Sequence, residues 1–259
     1  MSEKAAPGSD KVVTACLVII GNEILSGRTR DANLPFLSTE LNKIGVRLME
    51  CWVIPDVESV IVDTVNEVRR KFDYVFTTGG IGPTHDDITA DAIAKAFGVG
   101  ISEHPEAVDR LTRYYADPAL FTPPRRRMAR IPHGGTLVDN PVSVAPGFRM
   151  ENVFTFAGVP MIVEGMFTAM KHLLVGGRPV ISRTIRCSQP EGFIAETLGA
   201  VQDRHPDTEI GSYPAFRQGK PSVSLIVRGT DTAKVQAAVD ELLAALTELK
   251  AEPEEIPVT

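Results

Sequence analysis

The chain has 259 residues, 43% hydrophobic and 23% charged, with a formal net charge of −6. This balance is close to that of soluble globular proteins and argues against both a disordered chain and a membrane-inserted one. It also argues against a dedicated nucleic-acid binder, which carries a basic excess or a basic face, so phosphate bound here needs dipoles or a metal to hold it.

Residues 1–10 are small and polar and are expected to fray. They hold no apolar leader segment, and no later run reaches the roughly eighteen apolar residues of a membrane span, so a cytoplasmic setting without membrane contact is expected. VVTACLVII (12–20) is a continuous apolar run of the kind that forms a strand covered on both faces. LPFLSTELNKIG (34–45) places Leu34, Leu37, Leu41 and Ile44 at helical spacing and stops at Gly45. RLMECWVI reads as a second strand, after which Asp56 can cap a helix with apolar residues at 57, 60, 61, 65 and 68. DYVFTT gives a third strand, and ADAIAKAFG a short helix closed by Gly98. Three strand–helix units in series predict a parallel sheet whose loops share one edge.

A helix over 104–116 begins at Pro105, and the segment ADPALFTPPRRRMARIPHGG after it is too rich in Pro and Arg to be regular. NVFTFAG supplies a further strand. PMIVEGMFTAMKHLLVGG is a helix whose stripe of Met161, Val163, Met166, Met170 and Leu173 reads as core. Beyond it the pattern changes to β-α-β-β-α, predicting a small α+β domain over 178–250 after a main domain over 11–177, with AEPEEIPVT (251–259) as a loose tail. Cys16, Cys51 and Cys187 stand in strand-like runs, without zinc spacing or a disulfide framework, and are expected to be buried thiols.

The stretch TTGGIGPTHDDIT (77–89) carries the chemistry. A glycine-rich turn from a parallel strand into a helix presents backbone N–H groups and a positive helix end, a seat for an oxyanion. Gly79, Gly80 and Gly82 supply that turn, but neither GxxxxGK[ST] nor a full GxGxxG is present. A bare pyrophosphate beside Asp86 and Asp87 is repelled, by about 4 kcal/mol per unit-charge pair at 4 Å. A divalent cation held by Asp86 and Asp87 reverses that sign, since Mg²⁺ takes one or two carboxylates together with substrate phosphates. The alternative is that Asp87 or Thr89 caps the next helix. His85 is a candidate base or ligand, or else a solvent-facing side chain. Arg125, Arg126, Arg127 and Arg130 form either a phosphate clamp or a solvated loop.

GNEILSGRTRDAN, TTGGIGPTHDDITADAIAKAFG, ARIPHGGTLVDNPVSVAPGF and FAGVPMIVEGMF occur in the order seen in molybdopterin-binding domains, which the chain resembles over about residues 12–175. These domains are shared by molybdenum-cofactor biosynthesis proteins of the Mog and gephyrin type, by CinA and by the N-terminal part of FAD synthase. GIGPTHDDIT looks like the CinA-like branch, and the segment around GSYP is similar to the one following that domain in CinA-like and FAD-synthase-like proteins. The likeness does not extend to the amide-hydrolysing C-terminal domain of full-length CinA.

The resemblance implies a three-layer α/β/α fold with a mainly parallel sheet and a small C-terminal α+β domain. It implies a nucleotide or pterin ligand, molybdopterin included, and homo-oligomers, dimeric or trimeric. In the nearest branch it implies a pyrophosphatase acting on ADP-ribose- or FAD-like dinucleotides with Mg, Mn or Co. On this reading Asp87, Asp86 and Asp56 are catalytic, with Asp86 and Asp87 also holding the metal, and Asp86 replaces an Arg of the cofactor-assembly members. Gly21, Asn22, Glu23, Asn33, Thr78, Gly79, Gly80, Gly82, Thr84, Ser143, Pro146 and Gly147 are the implied ligand contacts. Two departures stand out: Ser143-Val144 replaces an expected Gly-Thr or Gly-Ser, and Ile162 replaces a Glu that often follows GVP. They motivate the alternative of a non-catalytic binding module; a third reading, an adenylyl- or molybdenum-transfer enzyme, is disfavoured by Asp86. The small domain resembles the KH-like addition of CinA but lacks a GXXG clamp and interleaved aromatics, so no RNA contact is expected.

Overall fold

A computed structural model of the chain describes residues 12–217 and 220–257; residues 1–10, expected to fray, lie outside them. The chain divides into two units at Gly177/Arg178. The first contains β1 (Val13–Ile20), α1 (Asn22–Leu25), α2 (Asn33–Lys43), β2 (Val46–Ile54), α3 (Glu58–Lys71), β3 (Tyr74–Thr78), α4 (Thr89–Phe97), β4 (Ile101–Glu103), α5 (Pro105–Tyr115), α6 (Pro123–Arg126), β5 (Arg130–Pro132), β6 (Thr136–Val138), β7 (Gly147–Met150), β8 (Val153–Phe156) and α7 (Pro160–Met170). Six of these strands form one sheet in the order β2-β1-β3-β8-β7-β6. β2, β1, β3 and β8 run parallel, and β7 and β6 are antiparallel additions.

Helices cover both faces, giving three layers. Alternation along β1 sends Ala15, Leu17 and Ile19 toward a cluster with Leu37 and Leu41 of α2 and Val163, Met166, Phe167 and Met170 of α7. Cys16, Val18 and Ile20 point the other way, toward Ile61, Val65 and Val68 of α3 and Ala92, Ile93 and Ala96 of α4. Phe76 stacks on Phe154 at 5.5 Å between ring centroids, across the β3–β8 pair. Each such fully buried large side chain contributes roughly 1.5–3 kcal/mol of transfer free energy. The Met stripe of α7 is core only in part: Met166 and Met170 are buried, whereas Met161 is 63% and Leu173 41% exposed.

Local rules account for most helix ends, with exceptions. Asp31, one residue before the N-cap Ala32, satisfies the start of α2, its carboxylate accepting from the N–H groups of Asn33 and Leu34 at 3.2 and 2.9 Å. Asp56 does not cap α3; Val57 occupies that position without a side-chain bond. Likewise Ile88, not Asp87 or Thr89, is the N-cap of α4. The Pro/Arg-rich segment is more ordered than its composition suggests, because Ala107 and Leu111 of α5 pack with Phe121 and Ala129 into a small core of their own, beside a two-stranded sheet of β4 and β5. Its arginines are engaged inside the protein. Arg125 bonds the Leu120 carbonyl at 2.6 Å and lies over the Tyr115 ring, Arg126 forks onto Glu103, and Arg130 forks onto Asp91 at 2.6 and 2.9 Å.

The second unit contains β9 (Ile181–Cys187), α8 (Glu191–Arg204), β10 (Glu209–Arg217), β11 (Lys220–Gly229), α9 (Thr232–Glu248) and β12 (Glu254–Ile256). Its sheet is antiparallel, in the order β10-β11-β9-β12, over a core including Ile194, Leu225, Val239 and Leu242. The segment expected to be a loose tail instead supplies β12, which pairs with β9 through Glu254↔Arg186 and Ile256↔Thr184, and Ala251 is fully buried. Cys16 and Cys187 are buried as expected, but Cys51 is exposed, since β2 is the sheet's edge strand.

Candidate functional site

In the order β2-β1-β3 the chain leaves β1 in one direction and returns on its other side, so the connections after β1 and β3 diverge. Open α/β sheets bind ligands in the crevice at such a switch point, beyond the carboxyl ends of the strands. A cleft of about 570 Å³ lies here. Its walls come from the segments after all four parallel strands: Ile20, Glu23 and Thr29 after β1, Asp56 after β2, Gly79–Pro83 with Asp86 and Asp87 after β3, and Ala157–Pro160 with Ile162 after β8. Met128 and the loop residues Asn140, Ser143 and Ala145 complete it.

The glycines are required by geometry. Gly79 has φ +99°, and a Cβ there would lie 2.1 Å from the Ile20 carbonyl oxygen. Gly80 has φ +69°, with the Thr89 hydroxyl 2.1 Å from its hypothetical Cβ. These contacts hold the β3 turn against the end of β1. Thr89 N–H donates to the Gly80 carbonyl at 2.9 Å and closes the base of the loop. Among the described residues the N–H groups of Gly80, Ile81 and Gly82 have no protein acceptor. They can donate to an anion.

The carboxylates are held with one side committed. Asp87 Oδ2 accepts from Thr84 N–H at 2.7 Å and from Thr84 Oγ1 at 2.5 Å, leaving Oδ1. Asp56 Oδ2 accepts from Asn22 N–H at 2.8 Å, so this carboxylate ties the loop after β2 to the start of α1. The Asp86 carboxyl lies below its ordinary value beside the Thr84 hydroxyl, whose proton is committed to Asp87, and a backbone N–H. Glu23 lies across Gly21, whose Cβ would fall 2.5 Å from the carboxylate. Glu23, Asp56, Asp86 and Asp87 thus border one cleft lined, among the described residues, by no Lys, Arg or His. Among the described residues no group of three or more His, Cys, Asp or Glu side chains converges to hold a metal ion unaided. The donor set is nonetheless all hard oxygen, and Mg²⁺-type cations need only one or two carboxylates when a phosphate supplies the rest.

Glu23, Asp56, Gly79, Gly80, Gly82, Asp86, Asp87 and Ser143 line the cleft. Other expected residues stand behind it. Asn33 is buried and donates to the Gly158 carbonyl at 2.9 Å, Thr78 is buried at the end of β3, and Thr84 organises the two aspartates. Gly21 and Asn22 form the turn that Asp56 holds. Gly147 lets β7 approach β8, since a Cβ would sit 2.4 Å from the Thr155 carbonyl. Pro146 borders a separate void of about 10 Å³. His85 points to solvent, 98% exposed, and does not line the cleft. Asn140, absent from the expected set, builds the loop over 140–146: its Oδ1 accepts from Val142 and Ser143 N–H, and its Nδ2 donates to Ser143 Oγ and the Ala145 carbonyl. The Asn-Pro step that opens this loop was the available signal.

The family described as "Probable molybdopterin binding domain" matches residues 16–176, and "FAD synthase, middle domain" matches residues 179–255. A protein of Archaeoglobus fulgidus is 31% identical over 226 residues, covering 87% of this chain and 94% of that one. A CinA-like protein of Thermosynechococcus vestitus is 28% identical over 249 residues, and a "Probable FAD synthase" of Caenorhabditis briggsae 32% identical over 275. These two alignments cover 92% and 93% of this chain but only 59% and 51% of the relatives. The crystal structure of CinA from Thermoplasma acidophilum aligns with a TM-score of 0.58 at 32% identity, over 61% of this chain and 96% of that one. The chain belongs to the molybdopterin-binding-domain family, its Mog-like domain joined to a C-terminal module of the CinA and FAD-synthase type.

Proposed function

We propose that the cleft binds a dinucleotide through its pyrophosphate together with a divalent cation, Mg²⁺, Mn²⁺ or Co²⁺, and hydrolyses the pyrophosphate of an ADP-ribose- or FAD-like compound. One observation carries this reading: four carboxylates line one cleft with the glycine turn, and among the described residues no basic side chain joins them in the lining. An anionic ligand in that setting needs a cation to offset the repulsion.

In this reading Asp86 and Asp87 hold the cation, Asp87 through its uncommitted Oδ1. The cation supplies charge neutralisation and polarises the phosphoryl group. The N–H groups of Gly80, Ile81 and Gly82 orient a non-bridging phosphate oxygen. Asp56 keeps the turn at Asn22 in place, which sets Glu23 at the cleft; the Glu23 carboxylate is the proton acceptor for the attacking water. The apolar wall of Met128, Ala145, Val159 and Ile162 suits a planar ring of the ligand.

The test is incubation of the pure protein with ADP-ribose or FAD and each metal, with chromatography of the products. AMP is expected from wild type in a chelator-sensitive reaction, and Asp87→Ala is expected to lose at least about a hundredfold in kcat, a typical cost of removing a group that stabilises transition-state charge. Equal turnover by both proteins, or turnover in chelator, overturns the assignment. A second reading is a module that retains a pterin or nucleotide without turning it over. It is favoured by the absence of a self-sufficient metal cluster among the described residues, and by Ile162 lining the cleft where the family resemblance leads one to expect a Glu. Co-purifying pterin fluorescence without hydrolysis distinguishes it.

A further inference from the structure

Arg127 starts a short 3₁₀ turn (Arg127–Ala129) between α6 and β5, behind the acidic loop and outside the cleft. Its Nη2 donates to the Asp87 carbonyl at 3.1 Å, forty residues away in sequence. Its Nε is buried and has no partner among the described residues. A guanidinium placed with one N–H unsatisfied is a feature that requires an explanation, because an unpaired buried donor lowers stability. The turn is anchored independently of the loop: Arg126 forks onto Glu103, Arg130 forks onto Asp91, and Ala129 is buried with its carbonyl accepting from His104 N–H at 2.8 Å. Arg127 therefore reaches the loop from a fixed base.

The loop's other bonds at its acidic end are internal. Thr84 N–H and Oγ1 donate to Asp87, and Asp87 N–H donates back to the Thr84 carbonyl at 3.3 Å. They shape the turn but do not attach it to the body of the domain. Asp86 and Asp87 share the cleft with Glu23 and Asp56, and this like-charge set pushes the loop outward when no cation is present. The Arg127 hydrogen bond to the Asp87 carbonyl fixes the loop backbone at one point and limits that displacement. Arg127, Asp87, Asp91 and Arg130 also border the void of about 10 Å³, room for one water between polar groups.

We infer that Arg127 is a positioning residue that tethers the Asp86–Asp87 loop to the domain and so sets the affinity of the acidic site for its cation. The cation role rests on the function proposed above; the tether itself does not. The full-length protein is compared with Arg127→Met, Arg127→Lys and a control, Arg113→Met, whose partner is Asp109 on the exposed face of α5. Two quantities are read: amide hydrogen exchange over residues 84–88 without ligand, and the Mn²⁺ midpoint for ADP-ribose hydrolysis beside the KM for nucleotide at saturating Mn²⁺. Arg127→Met is expected to speed exchange roughly tenfold and raise the Mn²⁺ midpoint roughly tenfold with nucleotide KM unchanged, the loss of one charge-assisted hydrogen bond. Arg127→Lys, a point charge, restores both in part, and Arg113→Met changes neither. Wild-type exchange and an unchanged midpoint in Arg127→Met overturn the inference, as does an equal response in Arg113→Met. If Arg127→Met does not fold, Arg127→Lys is read alone, with intermediate values expected and wild-type values overturning. Should wild type hydrolyse nothing with any metal, the proposed function fails, and the exchange measurement decides the tether by itself.

Discussion

Replacing Gly79 by Ala tests the close approach of the loops after β1 and β3. Two terms add at this site. Holding a non-glycine residue at φ +99° costs about 1–2 kcal/mol. The new methyl also meets the Ile20 carbonyl at 2.1 Å, where real contacts do not fall below 3.0 Å, and because the obstacle is backbone, two strands must part by about 1 Å, an overpacking cost of roughly 1–3 kcal/mol. Ala loses less chain entropy than Gly on folding, which returns about 0.4–1 kcal/mol, so the net loss is about 1–4.6 kcal/mol. Gly98 is the internal reference. It has φ +67° at the C-cap of α4 and nothing within 4 Å of a Cβ, so Gly98→Ala bears only the conformational term, about 0.5–1 kcal/mol net. Urea unfolding of both variants against wild type gives the two free energies from midpoint shifts at constant slope. A Gly79→Ala loss no larger than that of Gly98→Ala would refute the reasoning from close approach. Because Gly79 lines the cleft, nucleotide binding is expected to fall in Gly79→Ala and to survive in Gly98→Ala.

Three further outcomes are expected. With a disulfide reagent at pH 8, native protein exposes one reactive thiol, Cys51; because desolvation raises its pKa to about 11, it reacts about a hundredfold more slowly than a free cysteine, and its rate climbs with pH toward 11. Cys16, fully buried with its thiol pushed up to about 12 by desolvation, reacts only on unfolding, and early reaction there would contradict the packing of β1. Val144 is a β-branched residue at φ +67°, so Val144→Gly should raise stability by about 0.5–1 kcal/mol once glycine's added chain entropy is set against the relieved strain; a loss of stability would show that the strain is absent. Asp231→Ala removes the carboxylate that accepts from Ala233 and Lys234 N–H at the start of α9 and should cost about 1 kcal/mol by thermal unfolding, an unchanged midpoint arguing against that cap.

Local chemistry explains which features of this protein are legible in its sequence. The runs that became β1, β3 and β8 were continuous and apolar because those strands are covered on both faces. The helices that cover them carried stripes at 3.6-residue spacing. The turn over 79–82 stood out because positive φ admits few residues besides glycine. The aspartates of the cleft were legible because two adjacent carboxylates exceed what one helix cap needs. β6 and β7 were not legible: each is three or four residues long and extends the sheet only through pairing with a neighbour. β12 was hidden in a Pro- and Glu-rich segment for the same reason, since its stability comes from β9.

The sequence by itself determined the layered α/β class, the order of the parallel units and the chemistry available at the β3 turn, because hydrophobic period, turn residues and charge act over a few residues. Tertiary structure alone decided how each polar group is used. Asp56, equally suited to a cap, bonds Asn22 thirty-four positions away. Four arginines that composition could not separate from a phosphate clamp are bound to Leu120, Glu103, Asp87 and Asp91. Hydrogen-bond partners are chosen by proximity in the folded chain. Sheet order brought Glu23, Asp56, Asp86 and Asp87 from three separate segments to a single cleft.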